Sequence, residues 1–279
     1  MKHILLPTDF SENSWKAIQY GLMVFQNTVC TFYLFTVNPI PSYTGAQSSV
    51  RTKQEKLRKN MLEESQEDLQ KLLKRIETLG PSPKHKFVTI AVYDYFIDAV
   101  KKVVAQNRID LIVMGTKGAS GLKKIVMGSN TAALITKIDC PLLAVPEDAP
   151  SDTPREMVLA TDFKVEYNEG MLATLREMAA LFKAVVRVLH VIKKEGSLSA
   201  EQTENRALLK KYLKDMEHSF HTLTSTEVET AVQNFVAEKN IDMIVMVAKN
   251  KRLFQRILLK PTVEKVSYHL EVPFLVLHE

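Results

Sequence analysis

Two cysteines in 279 residues are too few for a disulfide framework, and they point to a reducing compartment. No apolar run approaches the roughly 20 residues that a membrane span requires. The opening Met1-Lys-His-Ile-Leu-Leu-Pro lacks the long apolar region and cleavage site of a signal peptide, so a cytoplasmic location is expected. Gly-x4-Gly-Lys-Ser/Thr and Gly-x-Ser-x-Gly are both absent, which leaves P-loop chemistry and a nucleophile elbow without support. No positioned general base and no metal-holding carboxylate pair stands out, so no catalytic and no metal-binding residue is assigned. His218-x-x-His221 has a spacing conceivable for zinc, but it lacks a cysteine or acidic cluster around it.

What is present is the composition of an ordinary globular protein, 46% apolar and 25% charged, long enough for two domains of roughly 140 residues. The net charge of +5 sits in the first half: residues 1–148 hold 19 Lys and Arg against 14 Asp and Glu, and residues 149–279 hold 18 of each. A positive first half suits a small polyanion. The excess is too dispersed to argue for nucleic acid, and the basic Lys249-Asn-Lys-Arg252 reads as a solvated loop.

The chain is organised around Asp110-Leu-Ile-Val-Met-Gly115-Thr-Lys-Gly118, followed nine residues later by Gly128-Ser129-Asn130. An apolar run that stops at glycine reads as a buried strand opening into a turn. Glycines permit close backbone approach and positive φ. Ser129 stands where a helix N-cap is expected, with a helical segment running on to Ile138. The free N–H groups and dipole of that helix would hold phosphate. Lys117, Lys123 and Lys124 could add charge nearby, although solvated lysines are the preferred reading.

The spacing Gly-x2-Gly-x9-Gly-Ser resembles the nucleotide-binding signature of the universal stress protein family. Asp139-Cys-Pro-Leu-Leu-Ala-Val145 resembles that family's last strand, and Ile4-Leu-Leu-Pro-Thr-Asp9 its first strand and acidic residue. The resemblance implies that Pro7, Thr8, Asp9 and Val37 hold the adenine end of a nucleotide. It likewise implies that Met114, Gly115, Gly118, Gly128, Ser129 and Asn130 hold ribose and phosphates. ATP is the implied ligand, with Mg²⁺ as an optional companion, and an unidentified protein partner is expected for a stress-response regulator.

An internal repeat fixes the organisation. Ile109-Asp-Leu-Ile-Val-Met114 returns as Ile241-Asp-Met-Ile-Val-Met246, and Thr8-Asp9-Phe10 as Thr161-Asp162-Phe163. The offsets are 132 and 153 residues, so the first copy is longer by 21 between its first and fourth strands. Pro146 to Pro154 is proline-rich and polar, giving a nucleotide-binding domain over 1–148, a linker over 149–154 and a degenerate copy over 155–279. In that copy Gly115, Gly118, Gly128 and Ser129 become Val247, Asn250, Lys260 and Pro261, which add bulk and remove an N–H donor.

Strands alternating with helices predict an α/β fold, two doubly wound, Rossmann-like open parallel five-stranded sheets covered on both faces. The site should lie beyond the carboxyl ends of the strands, where the winding reverses. The apolar final strands Leu142–Val145 and Phe274–Leu277 would both be edges needing cover. Family dimers commonly pair such strands, which implies an intramolecular pseudo-dimer. Association of whole chains into a homodimer is left open by the sequence. Binding is expected to order 116–127, with 38–50 following on the same rim. Two other classes compete: an ATP-using enzyme, distinguishable by turnover, and an interaction module without nucleotide, distinguishable by what is retained through purification.

Overall fold

The computed structural model describes residues 1–40, 48–116, 128–193, 196–248 and 271–278. The first half alternates β1 (Lys2–Pro7), α1 (Glu12–Val24), β2 (Cys30–Asn38), α2 (Ser48–Glu77), β3 (His85–Tyr93), α3 (Phe96–Asn107), β4 (Leu111–Gly115), α4 (Ser129–Lys137) and β5 (Leu142–Val145). The second half repeats the plan with β6 (Glu156–Thr161), α5 (Glu169–Phe182), β7 (Val185–Ile192), α6 (Ala200–Tyr212), β8 (His218–Thr224), α7 (Val228–Glu238), β9 (Met243–Val247) and β10 (Phe274–Leu277).

The two expected five-stranded parallel sheets are there, and they join. Ten strands form one sheet in the order β3-β2-β1-β4-β5-β10-β9-β6-β7-β8. Only the central junction is antiparallel among the described strands, with Phe274, Leu275 and Val276 opposite Ala144, Leu143 and Leu142. Each final strand thus covers the other's edge, where an apolar four-residue strand would otherwise invite association. β3 is the partner of β2 on the outer side of the first half. Its parallel register with β2 runs through nine pairs, from Cys30 opposite His85 to Asn38 opposite Tyr93.

Strand periodicity divides the core into two layers. Ile4 and Leu6 face the layer of α1, α2, α5 and α6, whereas Leu5 faces that of α3, α4 and α7. In α1, Trp15, Ile18, Leu22 and Phe25 fall at helical spacing and are all buried. Ser11 starts this helix, its hydroxyl accepting from the Ser14 N–H. Fully burying each large aliphatic side chain contributes about 1.5–3 kcal/mol.

The extra length of the first copy lies largely in α2, 30 residues against 13 in α6. At 1.5 Å per residue α2 spans about 45 Å, and a nine-residue strand about 30 Å, so its amino-terminal turns pass beyond the sheet. There Leu57 is exposed, whereas Leu69, Leu72 and Ile76 farther along are buried.

The repeated aspartate before β4 and β9 is structural. Asp110 accepts from the His3 N–H at 2.7 Å, and Asp242 accepts from the Arg155 and Glu156 N–H groups at 2.8 and 2.9 Å. Each carboxylate ties the start of one strand to the start of its neighbour. Cys30 and Cys140 are buried free thiols, and burial pushes them up to about 11 and about 12, so both stay protonated and unreactive.

Candidate functional site

The winding of the first half reverses between β1 and β4, which are parallel neighbours. Their carboxyl ends carry Pro7, Thr8 and Asp9 on one side and Met114 and Gly115 on the other. Val37 lies near the end of β2, beside β1, and Gly128, Ser129 and Asn130 open α4. Gly118, Lys117, Lys123 and Lys124 lie outside the described residues.

Thr8 and Asp9 shape the turn after β1. The Thr8 hydroxyl accepts from the Phe10 N–H at 3.0 Å, and Asp9 Oδ1 accepts from the Ser11 N–H and hydroxyl at 3.1 and 2.6 Å. Phe10 takes φ 63°, a left-handed conformation unusual for a non-glycine residue. The carboxylate is exposed at the rim, while Thr8 is buried and shares a hydrogen bond with Ser14. At the end of β2, the Asn38 amide bonds the Ser65 hydroxyl at 2.9 Å and ties the strand to α2.

Gly115 is needed for space. A Cβ there would lie 2.7 Å from Asn13 Nδ2 and 2.9 Å from Asn13 Cγ, a side chain that is itself buried. Gly128 is the N-cap of α4, with φ −54° and ψ 145°, and Ser129 is the first helical residue. The cap expected at Ser129 is therefore one residue earlier, and Gly128 does not need a positive φ. The Gly128 N–H donates to the Thr116 carbonyl at 2.6 Å, and the Thr131 hydroxyl donates to the Gly115 carbonyl at 3.0 Å. These bonds set the amino end of α4 against the carboxyl end of β4. No side chain caps that helix end among the described residues, and Ser129 and Asn130 are exposed. The arrangement presents helix N–H groups, with their positive dipole end, beside a carboxylate on the same rim.

On the α2 side a cleft of about 290 Å³ opens beside Thr8, Ser11 and Ser14. Sequence reading did not single out its other wall. Arg75 stacks 4.0 Å over Trp15 and makes a two-pronged bond to Glu12, at 3.0 and 3.2 Å. That bond holds the Glu12 carboxyl below its usual range. Lys71 is likewise paired with Asp68 at 2.8 Å, so this cleft carries compensated charge.

The second half keeps the turn and packs it more deeply. Thr161 accepts from the Phe163 N–H, Asp162 accepts from the Lys164 N–H, and Phe163 takes φ 55°. Retention of Thr-Asp-Phe thus has a structural cause. At the place of Ser14 stands Tyr167, whose phenol bonds the Thr161 hydroxyl and whose ring is fully buried. Burial pushes that phenol's pKa upward. Phe163 is 2% exposed where Phe10 is 38%, packed against His190 at 4.9 Å. From α6, Gln202 and Asn205 donate to the Asp162 and Phe163 carbonyls at 2.8 and 2.9 Å.

With this geometry in place the comparisons are specific. The model of the universal stress protein family matches residues 1–146 and again 154–278. The chain belongs to the universal stress protein family. A universal stress protein of Methanocaldococcus jannaschii is 31% identical over 146 residues, covering 52% of this chain and 81% of that relative. A second from the same organism is 27% identical over 157 residues, covering 52% and 94%. A solved universal stress protein of Archaeoglobus fulgidus superposes with a TM-score of 0.69 at 20% identity, over 98% of this chain and 97% of that one. The tandem universal stress fold therefore extends across both halves.

Two other sequence features resolve on the same coordinates. His218 and His221 are three apart on β8, so strand alternation sends them to opposite faces. His218 Nδ1 bonds the Met216 carbonyl and His221 Nε2 the Ser219 hydroxyl, which leaves no shared metal site. Among the described residues no group of three His, Cys, Asp or Glu could hold a metal ion, and no helix is long and apolar enough to cross a membrane.

Proposed function

We propose that the first half binds one adenine nucleotide, ATP in the first instance, and that the protein is a cytoplasmic stress-response regulator for which ATP is a ligand more than a fuel. The observation that carries this reading is the convergence of the Asp9 carboxylate, the close-approach glycine at 115 and the amino end of α4, which no side chain caps among the described residues, at the winding reversal. A carboxylate accepts from the exocyclic amine of adenine, and helix N–H groups donate to phosphate oxygens. Val37 borders the adenine end, and Mg²⁺ travels with the triphosphate. The burial of Tyr167 and Phe163 at the corresponding turn of the second half supports a stoichiometry of one.

Binding orders 116–127 and biases the neighbouring 38–50 towards one surface, which a protein partner reads. Of these, 41–47 and 117–127 lie outside the described residues. Mass spectrometry of small molecules released from the purified protein tests the ligand, with an adenine nucleotide expected. Steady-state turnover above about 1 per second, in the usual enzyme range, would instead make it an ATP-using enzyme. Hydrogen exchange tests the switch: protection confined to nucleotide contacts, with 38–50 unchanged, removes it.

A further inference from the structure

The helix that opens at Gly128 is held at both ends, and the two holds come from different halves. At its amino end Thr131 bonds the Gly115 carbonyl within the first half. Near its carboxyl end the Ile135 carbonyl accepts from Nε2 of His278, at 3.1 Å, across 143 residues of sequence. Ile135 lies in the last turn of α4, one residue after Leu134, whose carbonyl takes the last cap N–H, from Ile138. His278 follows β10 directly, and β10 is fixed to β5 by the antiparallel register at Phe274, Leu275 and Val276. The imidazole is held neutral by burial, and its acceptance partner fixes the proton on Nε2. Its Nδ1 is buried and meets no hydrogen-bond partner among the described residues.

We infer that His278 is a positioning residue for the phosphate end of the first-half site, supplied by the second half. Two pins on a nine-residue helix, about 13 Å long, fix its tilt as well as its position. The N–H groups at its start are then aimed before any ligand arrives, which lowers the ordering cost of binding. The repeat makes the device one-directional. The residue of the first half at the place of His278 is Pro146, whose side chain has no donor to give. The first half therefore cannot return the same side-chain donation from this position.

This inference rests on the nucleotide reading, and the experiment separates the two. ATP affinity is measured by calorimetry on the full-length chain and on His278→Ala and His278→Gln, with amide exchange of α4 followed in each. Replacing the donor by alanine is expected to weaken ATP three- to tenfold and to speed exchange at the carboxyl end of α4. Glutamine keeps an N–H donor and should restore most of both, a rescue that simple loss of packing would not give. No ATP binding by the unaltered chain overturns the nucleotide reading together with this one. ATP binding of equal strength in all three proteins, or equal weakening by alanine and glutamine, overturns the role of His278 alone.

Discussion

Asn13, in the first turn of α1, lies against the Cα of Gly115 so closely that a methyl group there would sit 2.7 Å from its amide nitrogen. The contact locks the start of one rim element to the end of another, on the two sides of the winding reversal. It also assigns a packing role to a glycine that belongs to the nucleotide signature.

The first prediction follows from that contact. Gly115→Ala should destabilise the protein by about 1–3 kcal/mol, the usual cost of overpacking a buried site. Asn13→Ala in the same chain should recover part of the loss, because the clash disappears. Denaturant midpoints of the four proteins in this cycle give the coupling directly. Additive losses would mean that the glycine is needed for something other than Asn13.

Stoichiometry is the second. Calorimetry should give one adenine nucleotide per chain, and Gly118→Val or Gly128→Lys should abolish binding while leaving the melting transition in place. Two equivalent sites, or undiminished affinity in both variants, would be incompatible with a first-half site. The second half should add no site, because Tyr167 and Phe163 are buried at its turn where Ser14 and the exposed Phe10 stand in the first.

A third concerns the junction. Residues 1–148 produced alone would leave Leu142–Val145 without the β10 strand that covers it. That fragment should self-associate through the bare edge, which light scattering on a sizing column would reveal. A monomeric fragment with its last strand fully protected from exchange would mean that β5 does not need the partner.

The fourth is the response to acid. Burial lowers the pKa of His278 against the opposing influence of its Ile135 bond and of Asp139. Burial also lowers that of His221, with Arg187 and Lys239 acting in the same direction. A lowered folded-state value means that the unfolded chain takes up the proton first, at about pH 6.5. Stability from these groups is therefore present above about pH 6.5 and declines as the pH falls towards their folded-state values. The urea midpoint should drop between pH 7.5 and 5, and His278→Gln should show a shallower drop.

Much of this architecture is legible in the residues. Period-two and helical apolar patterns give the order of elements, and the two repeat offsets foretell a first copy longer between its first and fourth strands, an excess that falls largely in α2. The glycine spacing points to the rim where the winding reverses, because close approach requires a residue without a side chain. Other features escape because they depend on distant packing. Tyr167 stands at the offset of Ser14, and nothing in a serine-to-tyrosine exchange announces that the ring is buried on Thr161. The cap of α4 falls one residue early because the backbone of Gly128 reaches Thr116, a contact with no signature. The repeated Thr-Asp-Phe invites a ligand reading, yet its left-handed phenylalanine and paired side-chain bonds are those of a turn.

The antiparallel junction of β5 with β10 has a consequence for how the protein can change. Two separate identical chains meeting at such a junction would carry every substitution twice, once on each side of the axis. With both sides encoded in one chain, each position is free of its mirror image. A histidine can stand at 278 opposite a proline at 146, and a tyrosine can be buried at one turn while a serine stands at the other. The covalent tether also holds the junction together at any dilution. Specialisation of one half as ligand site and of the other as its scaffold is open to a fused pair and closed to a symmetric one.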